Sequence, residues 1–482
     1  MNTKLILKAL LCATALFSAS VEGKAIKKCV PKLRNAVGAQ MIVQGYEWGP
    51  AIPKVIVEFQ DKVSGFDVNT FAVKTDNVER EVVDVYYTDA EGNKQDAASK
   101  YVALELTVKT AVVPFLNVSM GEASPFVYDM ETGRNSWSTN FELDLDLKDG
   151  KTFKVGRMEY GDEFPWKTYK YNLAKNYVVP ESKPWEKDSF TAHDITLQRA
   201  SFTPKGAKTD GGKNPLIIWL HGAGEGGRDL DITLLGNEVT ALAKEGIQKY
   251  FTTSELNGAY VLAVQAPTMW MDKGDGTYND DSNGKKQISM YDAVLFDAIK
   301  DYVANNSDID TDRIYVGGCS NGGYMTMNLM FEHGDFFTAF YPICEAYMDR
   351  NISDEMIEEI KDKNIWILHS EDDTTVDPLA SSIPTYYRLM KAGAKNVHYT
   401  LKEKVVGTDD PEAHYMGHYS WVYAFNDQVK NQFDNKKALA DYENVTIEEG
   451  KMITNATDRY VTNANCNEEG NMWTWLASQK KN

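Results

Sequence analysis

A serine stands between two glycines in the segment GCSNG, residues 318–322. The segment follows a short apolar run, Ile314 to Val316, and precedes a stretch with helical spacing of apolar residues. On such a strand–turn–helix bend a serine is exposed for attack on an acyl carbonyl, and glycines are needed because strand and helix come very close. The pattern predicts that Ser320 is a nucleophile. The alternative is a glycine-rich turn whose serine only caps the helix.

An oxyanion that develops on a carbonyl substrate needs hydrogen-bond donors aimed at it. One donor is expected from the backbone N–H of Asn321, directly after the serine. The second is expected from the loop HGAGEGG, residues 221–227, which follows the apolar run Leu216 to Leu220. Its glycines allow peptide planes to turn inward, and we predict Ala223 as the donor. A phosphate-binding loop is the alternative, but no Lys-Ser/Thr pair closes this segment.

A serine nucleophile needs a general base, and the chain has only seven histidines. His414 and His418 lie in a loop after the last predicted strand. We predict His418 as the base, because its segment GHYSW has a glycine for loop flexibility and is followed by a helix. The other five lie in or beside predicted strands, helices and the glycine-rich loop: His193, His221, His333, His369 and His398.

The acid that orients the base is expected between the serine and the histidine, after a strand. The apolar segment IWILH, residues 365–369, predicts that strand. Its loop offers Glu371, Asp372, Asp373 and Asp377, any of which could be a solvated surface acid. Spacing alone does not separate Asp372 from Asp373.

The segment HSEDDTTVDP, residues 369–378, resembles the H-G-x-x-D-x-x-V-P element of esterases related to feruloyl esterases, acetyl xylan esterases and polyhydroxyalkanoate depolymerases. The resemblance implies that Asp373 is the acid and that Val376 matches the valine. Ser370 replaces the glycine of the element, and Asp377 is an extra residue before the proline. These departures leave the aspartate in place.

Other segments extend the resemblance. The G-H-x-x-W element of the same group falls on Gly417, His418 and Trp421. HGAGEGG and GGCSNGGYMT resemble secreted esterases that carry an immunoglobulin-like N-terminal domain and are often described as prolyl-oligopeptidase-like. The resemblance covers residues 190–425 and returns at residues 463–479, where that group has its closing helix. It implies a triad of Ser320, Asp373 and His418.

Two different patterns of apolar residues along the sequence predict two domains. Alternating segments such as KVIVEF and FELDLDL, separated by turn residues, predict an all-β immunoglobulin-like sandwich over residues 25–188. Apolar strands that alternate with amphipathic helices predict an α/β-hydrolase fold, a mostly parallel sheet covered by helices, over residues 189–482. A charged and then apolar start predicts a signal peptide over residues 1–24. We therefore expect an exported protein, extracellular or periplasmic.

Composition limits the partners. The net charge of −19 disfavours nucleic acid and anionic lipid, so neither nucleic acid nor a membrane is an expected partner. No C-x-x-C pair supports a zinc site, and no metal or cofactor is expected. Outside the signal peptide the cysteines allow two disulfides, but sequence does not choose their pairing: Cys29, Cys319, Cys344 and Cys466. The oligomeric state does not follow from the sequence.

These residues favour a serine carboxylic ester hydrolase that works through an acyl-enzyme on a small-molecule or polysaccharide-linked ester, with acyl groups of plant polysaccharides as expected substrates. A serine peptidase of the prolyl-oligopeptidase type is the alternative with the same triad. A non-catalytic carbohydrate-binding protein is the third hypothesis. Trp270 and Trp421 are candidate substrate-binding residues.

Overall fold

The computed structural model describes residues 36–113, 117–161, 166, 169–275, 286–429, 446–448, 451–453 and 471–481. The predicted signal peptide, Cys29 and Cys466 lie outside these residues. Two structural units follow one another along the described chain, an all-β unit and an α/β unit.

Sixteen strands of the first unit fall within the described residues, and their bounds are β1 Ala36–Tyr46, β2 Gly49–Phe59, β3 Val63–Ser64, β4 Phe71–Thr75, β5 Val78–Arg80, β6 Val82–Thr88, β7 Tyr101–Leu106, β8 Thr110–Val113, β9 Val118–Gly121, β10 Phe126–Asp129, β11 Arg134–Trp137, β12 Glu142–Leu147, β13 Phe153–Val155, β14 Met158–Tyr160, β15 Tyr169–Asn172 and β16 Tyr177–Val178. They form a five-stranded sheet β16-β1-β2-β7-β6, a four-stranded sheet β15-β12-β4-β5 and a three-stranded sheet β14-β13-β3. The ribbons β8–β9 and β10–β11 stand apart from these sheets.

Alternation of side chains builds the core of this unit. In β12, Leu143 and Leu145 are fully buried, whereas Asp144 between them and Asp146 after them are not. Leucine on every second position therefore faces the opposing sheet, as period-two packing requires. The predicted immunoglobulin-like all-β domain is confirmed.

The second unit begins with a hairpin and then alternates strands and helices. Its elements are β17 Glu186–Ala192, β18 Ile195–Phe202, β19 Asn214–Leu220, α1 Leu230–Gly236, α2 Glu245–Gln248, β20 Tyr260–Gln265, α3 Asp292–Asn305, β21 Ile309–Cys319, α4 Asn321–His333, β22 Ala339–Ile343, α5 Asp354–Ile360, β23 Ile365–Ser370, α6 Ser382–Lys391, β24 Val397–Lys402, α7 Trp421–Phe425, β25 Thr446–Glu448, β26 Lys451–Ile453 and α8 Met472–Ser478. Strand β17 starts at Glu186, ahead of residue 189, the predicted start of this domain.

Eight strands form one sheet in the order β17-β18-β20-β19-β21-β22-β23-β24. The first two strands are antiparallel, and the strands from β20 to β24 are parallel. Every residue of β19 is buried, because apolar side chains cover both faces of the sheet. The predicted α/β-hydrolase fold is confirmed. Within the described residues, no helix is both long and apolar enough to cross a bilayer.

Parallel strands bring their carboxyl ends to one edge of the sheet. Strand β19 ends before the glycine-rich loop, β21 ends directly before Ser320, and β23 ends before Asp373. The candidate residues are therefore collected at the edge where open α/β sheets place their ligands.

The two units share a hydrophobic core. Leu235 of α1 is fully buried and belongs to the apolar cluster of the first unit, although its chain neighbour Leu234 belongs to the α/β core. A second contact is polar, because the buried carboxylate of Glu47 accepts hydrogen bonds from Thr408 Oγ1 at 2.6 Å and Tyr415 Oη at 2.7 Å. The immunoglobulin-like unit is thus packed against the loop that precedes His418.

The position of Leu235 generates a test of domain coupling. Leu235→Ala would leave a cavity between the units, and truncations of this kind cost about 2–5 kcal/mol. We expect differential scanning calorimetry to resolve separate transitions for the two units in this variant. Leu234→Ala, from the same helix, serves as the matched control and should lower the stability of the α/β unit without separating the transitions. Identical thermograms for the two variants would contradict the shared core.

Candidate active site

Ser320 lies on a sharp bend between β21 and α4. Its backbone has φ 56° and ψ −116°, a region that non-glycine residues rarely occupy. The bend is held from both sides, because Ser320 N donates to Ile343 O at 2.9 Å and Ser320 O accepts from Ala346 N at 3.2 Å. Strain at a single residue persists only where the surrounding structure fixes it, and such residues concentrate at functional sites.

The two glycines of the bend have a steric function. A β-carbon at Gly318 or at Gly322 would collide with the carbonyl oxygen of Leu220, the last residue of β19. Leu220 is the register partner of Gly318 in the parallel pair β19–β21. Glycine is therefore required at both positions, because the backbone of the next strand occupies the space of a side chain.

The two predicted oxyanion donors lie on segments that pass close to each other. Asn321 is the first residue of α4, so its backbone N–H has no acceptor within the helix. Ala223 opens a single helical turn, residues 223–225, in the loop after β19. A β-carbon on Gly222 would lie 3.4 Å from Cys319 Sγ, so this loop passes directly beside the bend. The structure brings Ala223 and Asn321 to the same end of the sheet.

Asp373 and His418 form a buried pair. The distance between His418 Nδ1 and Asp373 Oδ2 is 2.7 Å. Only 4% of Asp373 and 8% of His418 is exposed, so water does not compete for this hydrogen bond. Cys344 Sγ, an oxygen of Asp373 and a ring nitrogen of His418 lie within 4.8 Å of one another. Ser320 N donates to the carbonyl oxygen of Ile343, and Cys344 is the next residue in the chain. Cys344 is therefore close both to Ser320 and to the Asp373–His418 pair.

Ser320 Oγ is not hydrogen-bonded to His418 among the described residues. In structures without substrate, catalytic hydrogen bonds are often long and become short only in the complex. The Nδ1 atom of His418 is occupied by Asp373, which leaves Nε2 as the ring atom available to the serine.

The Asp373 carboxylate is fixed by several donors. Oδ1 accepts from the backbone N–H groups of Thr375 at 2.8 Å and Val376 at 2.9 Å. Oδ2 accepts from His418 and also lies 3.0 Å from His369 Nε2. Burial would raise the pKa of Asp373, but hydrogen bonds from His369 and His418 outweigh it and hold the pKa well below its usual range. The group is a carboxylate throughout the neutral range.

His369 has a role that the sequence did not reveal. Its Nε2 faces two acceptors, Asp373 Oδ2 at 3.0 Å and Val376 O at 3.1 Å, so this nitrogen carries the hydrogen. Its Nδ1 lies 2.7 Å from Ser382 Oγ. The residue is fully buried and therefore orients the acid from behind. His369 is the first residue of the segment HSEDDTTVDP, and this position next to the acid loop is the sequence feature from which its role could have been predicted.

A second Asp–His pair lies beside the first. Asp372 Oδ2 is 3.3 Å from His414 Nε2, and the His414 side chain is 42% exposed. Ser370 Oγ lies within hydrogen-bonding distance of two acceptors, Asp372 Oδ1 at 3.0 Å and the carbonyl oxygen of Gly417, which share its one hydroxyl hydrogen. The replacement of glycine by Ser370 therefore ties the acid loop to the histidine loop. Geometry separates the two pairs, since only Asp373 and His418 are buried together.

The two tryptophans do not form an open pocket wall. Trp270 is fully buried, its N–H donates to Asn321 Oδ1 at 2.5 Å, and its indole donates to His221 O at 3.1 Å. Trp421 is 5% exposed and meets the His418 ring edge-on at 5.9 Å. Trp270 supports the serine bend and has no exposed surface in this structure, and its predicted contact with substrate stays a prediction. Trp421 packs on His418 in the same supporting manner.

The cysteines of this region are thiols. Cys319 and Cys344 are both free and fully buried. Burial raises the pKa of each thiol well above its usual value. Of the cysteines considered for disulfides, only Cys29 and Cys466 remain, and both lie outside the described residues.

Comparison with known proteins agrees with this architecture. Residues 38–158 match the esterase Ig-like N-terminal domain, and residues 278–438 match the prolyl oligopeptidase family. A thermostable esterase aligns with a TM-score of 0.61 at 22% identity, over 81% of this chain and 97% of that one. A ferulic acid esterase aligns with a TM-score of 0.36 at 13% identity, over 50% of this chain and 94% of that one. No curated protein sequence matches the chain.

The parallel sheet, the bend at Ser320 and these matches define a serine hydrolase of the α/β-hydrolase fold. More particularly, the chain is similar to the esterase Ig-like N-terminal domain over residues 38–158 and to the prolyl oligopeptidase family over residues 278–438.

The two neighbouring aspartates allow a matched test. Asp373→Asn removes the charge opposite His418 and offers Nδ1 the wrong partner, which in serine triads lowers kcat by about 10⁴-fold. Asp372→Asn alters only the more exposed pair with His414, so we expect a kcat within about tenfold of the unmodified protein. Steady-state hydrolysis of p-nitrophenyl acetate measures both. A larger loss in the Asp372 variant would assign the acid to the other aspartate.

Proposed function

We propose that this protein is an exported carboxylic ester hydrolase with Ser320, His418 and Asp373 as its catalytic triad. The observation that carries the proposal is the buried hydrogen bond between His418 and Asp373 beside a serine held on a strained bend. A positioned imidazole and an exposed hydroxyl are the components that acyl transfer needs.

The mechanism follows from these positions. His418 Nε2 takes the proton of Ser320 as the hydroxyl attacks the ester carbonyl, and the backbone N–H groups of Ala223 and Asn321 stabilise the oxyanion. Asp373 holds the ring so that Nδ1 carries a hydrogen, and its negative charge stabilises the imidazolium. His418 returns the proton to the leaving alcohol. Water activated by the same imidazole then hydrolyses the acyl-enzyme.

Two findings support an ester as the substrate. The N-terminal domain matches a domain type described from esterases, and the thermostable esterase shares the architecture over 81% of the chain. The expected substrates are small-molecule esters or acyl groups on polysaccharides. The match of residues 278–438 to the prolyl oligopeptidase family favours a peptidase as the second candidate, since the same triad cleaves both bonds.

Removal of the nucleophile tests the proposal. Ser320→Ala should lower kcat by about 10³- to 10⁶-fold and abolish labelling by a fluorophosphonate probe. Ser254→Ala, at an exposed serine, is the matched control and should retain both. The substrates are p-nitrophenyl acetate, ethyl ferulate, acetylated xylan and a chromogenic proline dipeptide. Cleavage of the dipeptide alone would favour the peptidase, and labelling that persists without Ser320 would refute the nucleophile.

Export is tested separately. The apolar stretch in residues 1–24 is too short to span a bilayer and has the order of a signal peptide, so we expect cleavage near residue 24. Intact-mass measurement and N-terminal sequencing of protein from the native host, recovered outside the cytoplasm, would show a chain that lacks this segment. A full-length chain confined to the cytoplasm would contradict export.

A further inference from the structure

Strand β11 of the immunoglobulin-like domain reaches the catalytic domain through three side chains. Arg134 Nη1 donates to Pro267 O at 2.9 Å, and Trp137 Nε1 donates to Asp229 Oδ2 at 2.8 Å. Between them, Asn135 Nδ2 donates to Glu225 Oε1 at 3.0 Å. This central bond differs from the others, because its acceptor belongs to the helical turn that begins at Ala223.

The Glu225 side chain is enclosed by the loop that it supports. Only 5% of the residue is exposed. A β-carbon on Gly222 would lie 2.9 Å from Glu225 Oε2, and one on Gly236 would lie 2.6 Å from Glu225 Cγ. The carboxylate thus fills the space between the start of the loop and the end of α1. A shift of the Glu225 carboxylate would therefore require the backbone of residues 222–225 to shift as well.

The backbone of Glu225 is anchored by its own domain. Glu225 O accepts from Thr233 Oγ1 at 3.1 Å and from Gln265 Nε2 at 2.9 Å, and Glu225 N donates to Gly222 O at 3.2 Å. Asn135 approaches the same turn from outside, and a β-carbon on Gly224 would lie 2.9 Å from its Nδ2 atom. The amide therefore hydrogen-bonds the side chain of Glu225 and occupies the space that a side chain at Gly224 would need.

We propose that Asn135 is a positioning residue for oxyanion stabilisation: it fixes the Glu225 carboxylate and thereby the direction of the Ala223 N–H. The inference rests on the proposed function, because it assigns a part of that same site to the accessory domain. The immunoglobulin-like domain then supplies one contact on which the rate of acyl transfer depends. Asn135 itself touches no reacting atom.

The ionisation of Glu225 at this contact allows a second measurement, the dependence of kcat on pH. Burial raises the pKa of Glu225 to about 7, whereas the hydrogen bond from Asn135 lowers it. The titratable groups that face this carboxyl are Tyr128 of β10, Cys319 of β21 and Tyr419 beside His418. None of the three carries a charge at neutral pH, since burial raises the pKa of each. A second carboxylate placed at position 135 would therefore meet Glu225 without a cation between them.

The experiment uses the full chain with Asn135→Ala, Asn135→Asp and the matched control Trp137→Phe. The control loses one hydrogen bond from the same strand and replaces the indole by a smaller aromatic ring beside Phe126, so it reports weakening of the interface alone. We expect Asn135→Ala to lower kcat for p-nitrophenyl acetate by about tenfold or more, with KM little changed, because misplacement of an oxyanion donor acts on the transition state. Trp137→Phe should keep kcat within about twofold.

The pH profile separates positioning from stability. In Asn135→Asp the two carboxyls share one proton until the second of them ionises. That ionisation lies at a higher pH than the ionisation of Glu225 in the unmodified protein, because the hydrogen bond that lowers its pKa is lost and a like charge stands beside it. Above that pH both groups are ionised and repel each other. We expect the kcat of this variant, relative to the unmodified protein, to fall as pH rises from 6 to 9. The corresponding ratio for Asn135→Ala should be much less dependent on pH. Thermal denaturation of all three variants measures the interface independently.

Three results would overturn the inference. They are a kcat for Asn135→Ala equal to that of Trp137→Phe, a loss confined to KM, and a pH-independent ratio for Asn135→Asp. The rate of Ser320 labelling by a fluorophosphonate distinguishes this failure from failure of the proposed function. If the unmodified protein is not labelled at Ser320, the proposed function is wrong. If it is labelled and Asn135→Ala is labelled equally fast, only the role of Asn135 is wrong.

Discussion

The close approach of the Ser320 bend to the end of β19 is the constraint on which the site depends. The carbonyl oxygen of Leu220 occupies the space that a side chain at Gly318 or Gly322 would need. Because β19 and β21 are register partners, this contact also sets the glycine-rich loop beside the serine. Ser320 and the loop that carries Ala223 are thus placed at the same end of the sheet by one backbone contact.

The predicted acid and base, Asp373 and His418, are held in place in a different way: several hydrogen-bond donors surround the buried negative charge of Asp373. A carboxylate without partners in the interior would take up a proton rather than remain ionised. Asp373 avoids this because two backbone N–H groups and two imidazoles point at it. His369 shares the Oδ2 atom with His418, so it restricts the rotation of the carboxylate and keeps that atom directed at His418. Trp421 packs edge-on against the imidazole ring of His418.

Sequence predicted the features that are local in the chain. The alternation in FELDLDL, the strand–turn–helix at Ser320 and the loop after Leu220 each depend on neighbours within a few residues, and the fold class followed from them. Asp372 and Asp373 could not be separated, because adjacent loop residues differ only in the direction of their side chains. The burial of Trp270 could not be predicted, since an indole near a strand end has the same sequence pattern in a core as in a pocket. The partners of Glu225 and Glu47 were invisible, because they come from the other domain.

Those interdomain partners change how the N-terminal domain should be regarded. Leu235 of the catalytic domain lies in the core of the immunoglobulin-like domain, and Glu47 holds the loop that leads to His418. Asn135 reaches the opposite side of the site at Glu225. A buried carboxylate with no such donor would be costly, so each acidic residue at the interface ties the conformation of a catalytic loop to correct docking of the domain. The accessory domain therefore contacts both the loop that carries Ala223 and the loop that leads to His418, and its docking stabilises the conformation of these two loops.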